Sequence, residues 1–275
     1  MQDKGKVTGI DCHAHIMVVD FPLAPEIHSR PVRDVSAKEY LEVLHSHGIS
    51  HGVLTAPSFY GANNTLLFDA LRNFPDQLRG TAIIDPTIET TALEHQLHQM
   101  QEIGIVGIRL NWNKKKAIPD INSSEYKRLL ALVRELDLHI ELFIEDHLQE
   151  QVVPPILASG ATLVLDHFGN PDPKLGIKSA SFQNTLRALE AGQVWVKLSA
   201  PYRVGSLNGI SIQPYVDALV AANPKQLVWA SDWPWLSYEN QFTYADCLTW
   251  IQSAVDDSAI WEDIFIHNPK TLFHF

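Results

Sequence analysis

Residues 7–15 read Val-Thr-Gly-Ile-Asp-Cys-His-Ala-His, a short apolar stretch that ends in two histidines. In a doubly wound nucleotide-binding sheet, the first strand runs into a glycine-rich loop that holds phosphate groups. Here that place is taken by Asp11-Cys12-His13-Ala14-His15, which contains no glycine. The stretch therefore disfavours a nucleotide-binding sheet and puts two imidazoles at the end of the first predicted strand.

Seven further apolar runs follow along the chain, and segments with helical patterns separate them. Several runs are almost continuously hydrophobic, which is typical of parallel strands covered on both faces. The eight predicted strands span residues 7–12, 52–55, 80–84, 106–110, 138–144, 161–165, 194–198 and 227–230. Eight strands that alternate with helices predict an α/β fold, a TIM-type (β/α)8 barrel, with an open doubly wound sheet as the runner-up.

The segments between the strands contain signals for helix ends. Ser36 with Glu39 and Thr91 with Glu94 have the spacing of capping boxes, which predicts that helices begin at both places. Pro154 and Pro155 would interrupt a helix interior, so we expect them at a helix start or a kink. Other predicted helices span residues 64–74, 124–136, 182–191 and 212–222.

The length and composition bound the class of protein. The chain has 275 residues, of which 45% are hydrophobic and 19% charged, and no linker divides it. These values predict a single barrel domain over residues 1–275. The net charge of −11 would repel nucleic acid and anionic membranes, so neither is an expected partner.

Cysteine usage and the N-terminal stretch predict the compartment. The two cysteines, Cys12 and Cys247, lie far apart and form no metal-type or redox-type pair. The N-terminal residues are polar, unlike a signal peptide, and no apolar run is long enough for a membrane helix. We therefore expect a cytoplasmic protein that is a monomer or a small homo-oligomer.

Ionisable residues follow three of the predicted strands. His13 and His15 end the first strand, and at a period of two residues their imidazoles point to the same side. Asp166-His167 ends the sixth strand, and Asp232 follows the eighth. In a barrel, these strand ends meet at the face that carries the active site. The pattern predicts a catalytic cluster of His13, His15, His167 and Asp232.

Cationic residues are concentrated near the same predicted face, although the whole chain is acidic. Arg109 and Asn111 end the fourth strand, Lys114, Lys115 and Lys116 follow them, Lys197 lies on the seventh strand and Arg203 comes after it. An arginine can bind a carboxylate through two parallel hydrogen bonds. This distribution favours an anionic substrate.

Four segments resemble those of the amidohydrolase-related (amidohydrolase 2) family of metal-dependent hydrolases. They are Asp11-x-His13-x-His15, Asp166-His167-Phe168-Gly169, Trp195-Val196-Lys197-Leu198-Ser199 and Ser231-Asp232-Trp233-Pro234, and they follow the family order through nearly the whole chain. The similarity is greatest to the lactonase branch, that of the 2-pyrone-4,6-dicarboxylate hydrolases. It implies a distorted barrel, amidohydrolase-like throughout, that opens a lactone with water.

The resemblance also implies roles for individual residues. Asp232 matches the general base, and His13, His15 and His167 match the histidines around the scissile carbonyl. Cationic groups that hold substrate carboxylates correspond to Arg109, Lys115 and Arg203, and Ser58 and Asn111 line the same pocket. We add Lys197 to the candidate substrate-binding residues because of its place on the seventh strand.

Three positions depart from the pattern of that branch. Phe143 stands where a tyrosine is expected, Trp235 where a histidine is expected, and Lys115 where an arginine is expected. Each change removes a hydrogen-bond donor or alters its geometry. The implied substrate is therefore a small anionic lactone or carboxylate, and a sugar-acid lactone is as compatible as a pyrone dicarboxylate.

The metal requirement and the reaction class leave alternatives open. The lactonase branch works without metal, so the resemblance implies no obligatory cofactor. The alternative is one divalent metal, zinc or manganese, held by His13, His15 and Asp232, since catalytic zinc needs three protein ligands. The alternative functions are a metal-dependent decarboxylase of a related branch and a non-catalytic binding barrel.

Overall fold

The structure, a computed structural model, describes residues 6–275. The first five residues, part of the polar N-terminal stretch, lie outside the described residues. Eight strands form one parallel sheet in the order of the sequence. They are β1 (Ile10–Ala14), β2 (His51–Thr55), β3 (Leu78–Ala82), β4 (Ile105–Asn111), β5 (His139–Phe143), β6 (Thr162–Leu165), β7 (Val194–Leu198) and β8 (Leu227–Trp229).

Helices follow the strands and cover the outer face of the sheet. They are α1 (Ala37–Ser46), α2 (Thr65–Asn73), α3 (Thr90–Glu102), α4 (Ser124–Glu135), α5 (Gln149–Ser159), α6 (Ala180–Glu190), α7 (Gln213–Ala222), α8 (Tyr244–Gln252), α9 (Ser258–Glu262) and α10 (Asn268–Phe273). Their apolar sides pack on the barrel in one continuous core. The predicted (β/α)8 TIM-type barrel is confirmed, and the open doubly wound sheet is excluded.

The barrel closes between β1 and β8 just beyond the end of β8. The backbone amide of Asp232 donates to the carbonyl oxygen of His13 at 2.9 Å, and that of His15 donates to the oxygen of Trp233 at 2.8 Å. Ala14 and Trp233 form a parallel bridge there. The last hydrogen bonds that close the barrel therefore lie among the residues predicted to be catalytic.

The C-terminal segment closes the opposite end of the barrel. Leu272 and Phe273 of α10 pack against interior side chains of the strands, including Ile10, Val53 and Val106. Asn268 and Pro269 begin α10, which seals the barrel interior at the amino ends of the strands.

Of the two predicted capping boxes, one helix start was confirmed and the other was wrong. Ser36 caps α1 by accepting a hydrogen bond from the Glu39 amide. The cap of α3 is Glu89, whose carboxylate accepts from the Ala92 amide, so the helix begins before Thr91. Pro154 and Pro155 both lie inside α5 rather than at its start.

No helix among residues 6–275 has the length and apolar character needed to cross a membrane.

A close contact between neighbouring strands fixes the packing of β4 on β5. Gly107 pairs with His139, and a Cβ atom at position 107 would lie 2.3 Å from Nε2 of the buried His139 ring. We expect Gly107→Ala to lower the free energy of unfolding by about 1–3 kcal/mol, as overpacking commonly does. Chemical denaturation would measure this change.

The matched control for that prediction is the double variant with His139→Ala. Removing the ring relieves the clash, so Gly107→Ala should cost much less in the His139→Ala background than in the parent. Equal costs in both backgrounds would contradict the proposed contact.

Candidate active site

A buried carboxylate outside the barrel joins the strands that supply the central residues. Asp11 accepts hydrogen bonds from the backbone amides of His13 at 3.3 Å and Ser231 at 2.8 Å. It also accepts from the hydroxyls of Ser231 at 2.5 Å and Tyr244 at 2.8 Å. Burial raises the pKa of Asp11, although these donors oppose the rise. Asp11 therefore aligns the ends of β1 and β8 without contacting the pocket.

The backbone turns sharply where β6 and β8 end. His167 has φ of 51° and Asp232 has φ of 57°, both in the left-handed region that side chains rarely adopt. Such conformations persist only where the surrounding structure holds them, and they occur often at functional sites. The turns let both side chains point to the same place, although they come from separate strands.

Three imidazoles surround one oxygen of Asp232. Its Oδ1 lies 3.5 Å from Nε2 of His13, 3.5 Å from Nε2 of His15 and 3.9 Å from Nε2 of His167. Asp232, His13 and His167 are almost fully buried. His15 donates through Nδ1 to the Thr55 carbonyl oxygen, 2.7 Å away, and His167 contacts the Ser199 hydroxyl at 2.8 Å. The structure thus brings the four predicted catalytic residues together.

The other oxygen of Asp232 is held by two residues of the loop after β7. Arg203 donates to Oδ2 through Nε at 3.1 Å and Nη2 at 3.0 Å, and the Tyr202 hydroxyl donates at 2.5 Å. Burial acts to raise the pKa of Asp232, but the Arg203 guanidinium outweighs it and holds this pKa well below its usual range. Asp232 is therefore ionised at neutral pH.

A buried ionic cluster lies below the histidines, inside the barrel. Lys197 Nζ contacts Glu141 Oε2 at 2.5 Å and Asp166 Oδ1 at 3.2 Å, and Arg109 Nη2 contacts Asp166 Oδ2 at 3.4 Å. Burial opposes charge on each group, yet their attraction prevails: the pKa of Asp166 is well below its usual range, and that of Lys197 is raised. Nζ of Lys197 also lies 3.0 Å from Nδ1 of His13.

Two members of this cluster were not among the predicted site residues. Glu141 lies in the middle of the apolar strand β5, and Asp166 was read only as part of a motif. A charged residue in mid-strand is costly to bury without a partner, so Glu141 and Lys197 were each a signal of an internal ion pair. Tyr202 gave no comparable signal, because its role depends on the loop conformation.

A cleft at the carboxyl ends of the strands opens onto Asp232. It encloses ≈ 690 Å³, open space at its mouth included. Its walls include the predicted residues His15, Ser58, Arg109, Asn111, His167, Arg203 and Asp232. His28, Asn113, Lys114 and Tyr238 also line it, and none of them was among the residues expected to bind substrate.

Two predicted substrate-binding residues do not line this cleft. Lys197 is fully buried in the ionic cluster, and Lys115 is exposed on the loop after β4. The neighbouring Lys114 lines the cleft instead. The charged residues of the cleft wall are thus three cations, Arg109, Lys114 and Arg203, and one carboxylate, Asp232.

Ligand atoms that a metal could bridge also occur here. One atom each from His13, His167 and Asp232 lie within 4.8 Å of one another. A second such group comprises His13, Glu141 and Asp166. His15, one of the three ligands predicted from the sequence, belongs to neither group.

The barrel, the strand-end histidines and Asp232 match a known family over almost the whole chain. The family model described as Amidohydrolase matches residues 10–275. The chain belongs to the amidohydrolase family. Members of this family are usually metal-dependent.

Several amidohydrolase relatives are similar along most of their length. The chain is 27% identical to the 4-sulfomuconolactone hydrolase of Rhizobium radiobacter and 25% identical to the 2-pyrone-4,6-dicarboxylate hydrolase of Comamonas testosteroni. Each match covers 96% of this chain and 89% of the relative. A solved structure of a probable 2-pyrone-4,6-dicarboxylic acid hydrolase from Acinetobacter baumannii, with citric acid bound, is 30% identical with a TM-score of 0.90. That match covers 97% of this chain and 99% of the other.

The buried histidines of this amidohydrolase make its stability depend on pH. Burial lowers the pKa of His139 to about 4, below the ordinary value of about 6.5. The unfolded chain therefore binds protons first as the pH falls below about 6.5, which favours unfolding. We expect this residue alone to remove on the order of 3 kcal/mol of stability between neutral pH and pH of about 4.

Thermal or chemical unfolding across this pH range measures the loss. A His139→Leu variant should lose less stability on acidification than the parent, whereas a variant of the exposed His98 (His98→Gln) should behave like the parent. If His139→Leu and the parent showed the same pH slope, the assignment to His139 would be wrong.

Proposed function

We propose that this protein is a hydrolase that opens a small anionic lactone with water, an ester bond hydrolysis within the amidohydrolase family. The observation that carries the proposal is the convergence of three imidazoles on Asp232: His15 and His167 line the cationic cleft, and His13 is buried behind them. The relatives described above are named as hydrolases of a sulfomuconolactone and of a pyrone dicarboxylate. Both names refer to anionic substrates, which agrees with the charge of the cleft wall.

The proposed reaction begins with a water molecule beside Oδ1 of Asp232. This oxygen takes a proton from the water, and the water oxygen forms a bond to the lactone carbonyl carbon. Negative charge then develops on the carbonyl oxygen, where imidazole N–H groups can stabilise it. The ring carbon–oxygen bond breaks, and Asp232 returns the proton to the leaving oxygen. The product is a hydroxy acid.

The environment of Asp232 determines what kind of base it is. Arg203 and Tyr202 occupy Oδ2, so only Oδ1 faces the histidines. A carboxylate of low pKa is fully ionised at neutral pH but is a weak base. Proton transfer therefore depends on simultaneous stabilisation of the carbonyl oxygen, which couples Asp232 to the histidines around it.

We further propose that no metal is obligatory. The distances among His13, His167 and Asp232 would permit a cation, but the charge balance of the site does not favour one. Lys197, Arg109 and Arg203 already balance the charges of the Glu141, Asp166 and Asp232 carboxylates. A divalent cation would add two uncompensated charges in a buried place, where unpaired charge is costly. The residues as arranged therefore do not fit an obligatory metal.

The second candidate is the metal-dependent decarboxylase that the sequence left open; a solved structure of the same fold is a 2,6-dihydroxybenzoate decarboxylase from Rhizobium. That structure is 16% identical, with a TM-score of 0.65, so it shares the fold alone.

The deciding experiment measures proton release by chelator-treated protein with a panel of anionic lactones, including pyrone dicarboxylates and sugar-acid lactones. Turnover without added metal supports the proposal. If no lactone is hydrolysed, with or without added zinc or manganese, and the protein releases CO2 from a carboxylated phenol, the decarboxylase replaces the lactone hydrolase as the proposed function.

The role of Asp232 gives a direct test once a substrate is found. We expect Asp232→Asn to lower kcat/KM by at least ~10²-fold, because removal of a general base commonly costs that much. Asp120→Asn, a change in an exposed loop residue, serves as the control and should retain activity. Full kcat/KM in a folded Asp232→Asn variant would contradict the mechanism.

Charge at the mouth of the cleft gives a second test. Lys114 lines the cleft and Lys115 does not, although the sequence favoured Lys115 for substrate binding. We expect Lys114→Gln to raise KM up to about fivefold, the range of an exposed ion pair worth up to ~1 kcal/mol. Lys115→Gln is the matched comparison and should leave KM nearly unchanged.

Added salt should reduce the effect of Lys114→Gln, because it screens exposed charges. A larger effect at Lys115 than at Lys114 would show that the loop after β4 presents a different lysine to the substrate.

A further inference from the structure

One hydrogen bond below the pocket determines which nitrogen of His13 carries the proton. Nδ1 of His13 lies 3.0 Å from Nζ of Lys197, and this contact has hydrogen-bond geometry. Asp166 Oδ1 at 3.3 Å and Glu141 Oε1 at 3.5 Å lie farther from Nδ1, and Asp166 Oδ1 also lies 3.2 Å from Nζ of Lys197. Lys197 is therefore the nearest polar partner of His13 Nδ1.

The direction of this hydrogen bond follows from the chemistry of the two groups. A lysine ammonium has three N–H donors and no acceptor. Around Nζ of Lys197 are three acceptors: Glu141 Oε2 at 2.5 Å, Asp166 Oδ1 at 3.2 Å and His13 Nδ1. Nδ1 of His13 must then accept, and a neutral imidazole that accepts at Nδ1 carries its proton at Nε2.

In the neighbouring histidine, His15, the proton lies on the other ring nitrogen. Nδ1 of His15 lies 2.7 Å from the carbonyl oxygen of Thr55. A carbonyl oxygen only accepts, so Nδ1 of His15 must donate, and its Nε2 has a free lone pair in the neutral ring. The two histidines of the His-x-His motif therefore present different groups to Asp232.

We propose that Lys197 is a positioning residue that fixes His13 as its Nε2–H tautomer, opposite to the tautomer of His15. The consequence for catalysis rests on the proposed function. Nε2–H of His13 donates to the lactone carbonyl oxygen as negative charge develops there. Nε2 of His15, together with Oδ1 of Asp232, accepts the two hydrogens of the attacking water. A protonated Nε2 has no lone pair for a metal, so His13 in this form is a donor and not a ligand.

Nitrogen-15 NMR of histidine-labelled protein at neutral pH distinguishes the two tautomers directly, without substrate or turnover. A His13→Asn spectrum assigns the signals of that residue. We expect the parent protein to show His13 protonated at Nε2 and His15 protonated at Nδ1. An Nδ1–H signal for His13 in the parent would overturn the proposal.

Removal of the lysine should switch the tautomer. In Lys197→Met, the nearest partners of His13 Nδ1 are carboxylate oxygens, which accept, so the proton should move to Nδ1. The single change leaves a buried carboxylate without its partner, which destabilises the fold, so a double variant is also needed. Lys197→Met/Glu141→Gln removes one charge of each sign and keeps Asp166 as the acceptor. We expect the switch in both variants, and His15 serves as an internal reference that should not change.

Glu141→Gln alone is the matched control. It alters the same cluster but keeps Lys197, so His13 should remain protonated at Nε2. A merely structural role for Lys197 would leave the tautomer unchanged in the double variant, and that result would overturn the proposal. Failure of the lactone assay with the expected NMR spectra would contradict the proposed function alone.

Discussion

The pairing of β1 with the segment after β8 is the constraint on which the site depends. Two backbone hydrogen bonds close the barrel there, from Asp232 to His13 and from His15 to Trp233. The same short segment of each strand thus completes the fold and carries the reacting groups. Because Asp11 binds the backbone of both segments from outside, the distance between the imidazoles and Asp232 is set by the packing of the barrel itself. A site built on strand ends in this way can be held more precisely than one built on loops alone.

Electrostatics extend this constraint into the barrel interior. The ionic groups of Lys197, Arg109, Glu141 and Asp166 lie where water is excluded, and removing any one would leave a buried charge unpaired. Such a cluster contributes little net stability compared with apolar packing, so its presence calls for a functional explanation. It holds the floor of the cleft in one arrangement and supplies His13 with a fixed hydrogen-bond partner. The charge on Asp232 is balanced separately by Arg203, from a loop.

The sequence predicted the parts of this molecule that follow from periodicity and from strand ends. Apolar runs separated by helices were sufficient for the barrel, and polar residues after three strands were sufficient to predict the cluster of His13, His15, His167 and Asp232. Contacts across the interior were harder to predict, since β5 and β7 are not adjacent in the sheet, and only the closed barrel brings Glu141 to Lys197. Loop conformation could not be predicted from the sequence: Arg203 lines the cleft as expected, but its contact with Asp232 was not foreseen, and Lys114 rather than Lys115 reaches the cleft wall.

The histidine motif illustrates why a short sequence pattern does not determine chemistry. Two histidines at a period of two residues converge on one point whatever their protonation, so the motif itself is compatible with metal binding or with hydrogen bonding. The group that contacts Nδ1 of each ring decides whether its Nε2 carries a proton or a lone pair. A carbonyl oxygen behind His15 leaves a lone pair toward the pocket, whereas an ammonium behind His13 leaves a proton there. Lys197 lies 184 positions away from His13 in the sequence, so the chemistry of the motif at the end of β1 depends on a residue of β7 that only the closed barrel places beneath it.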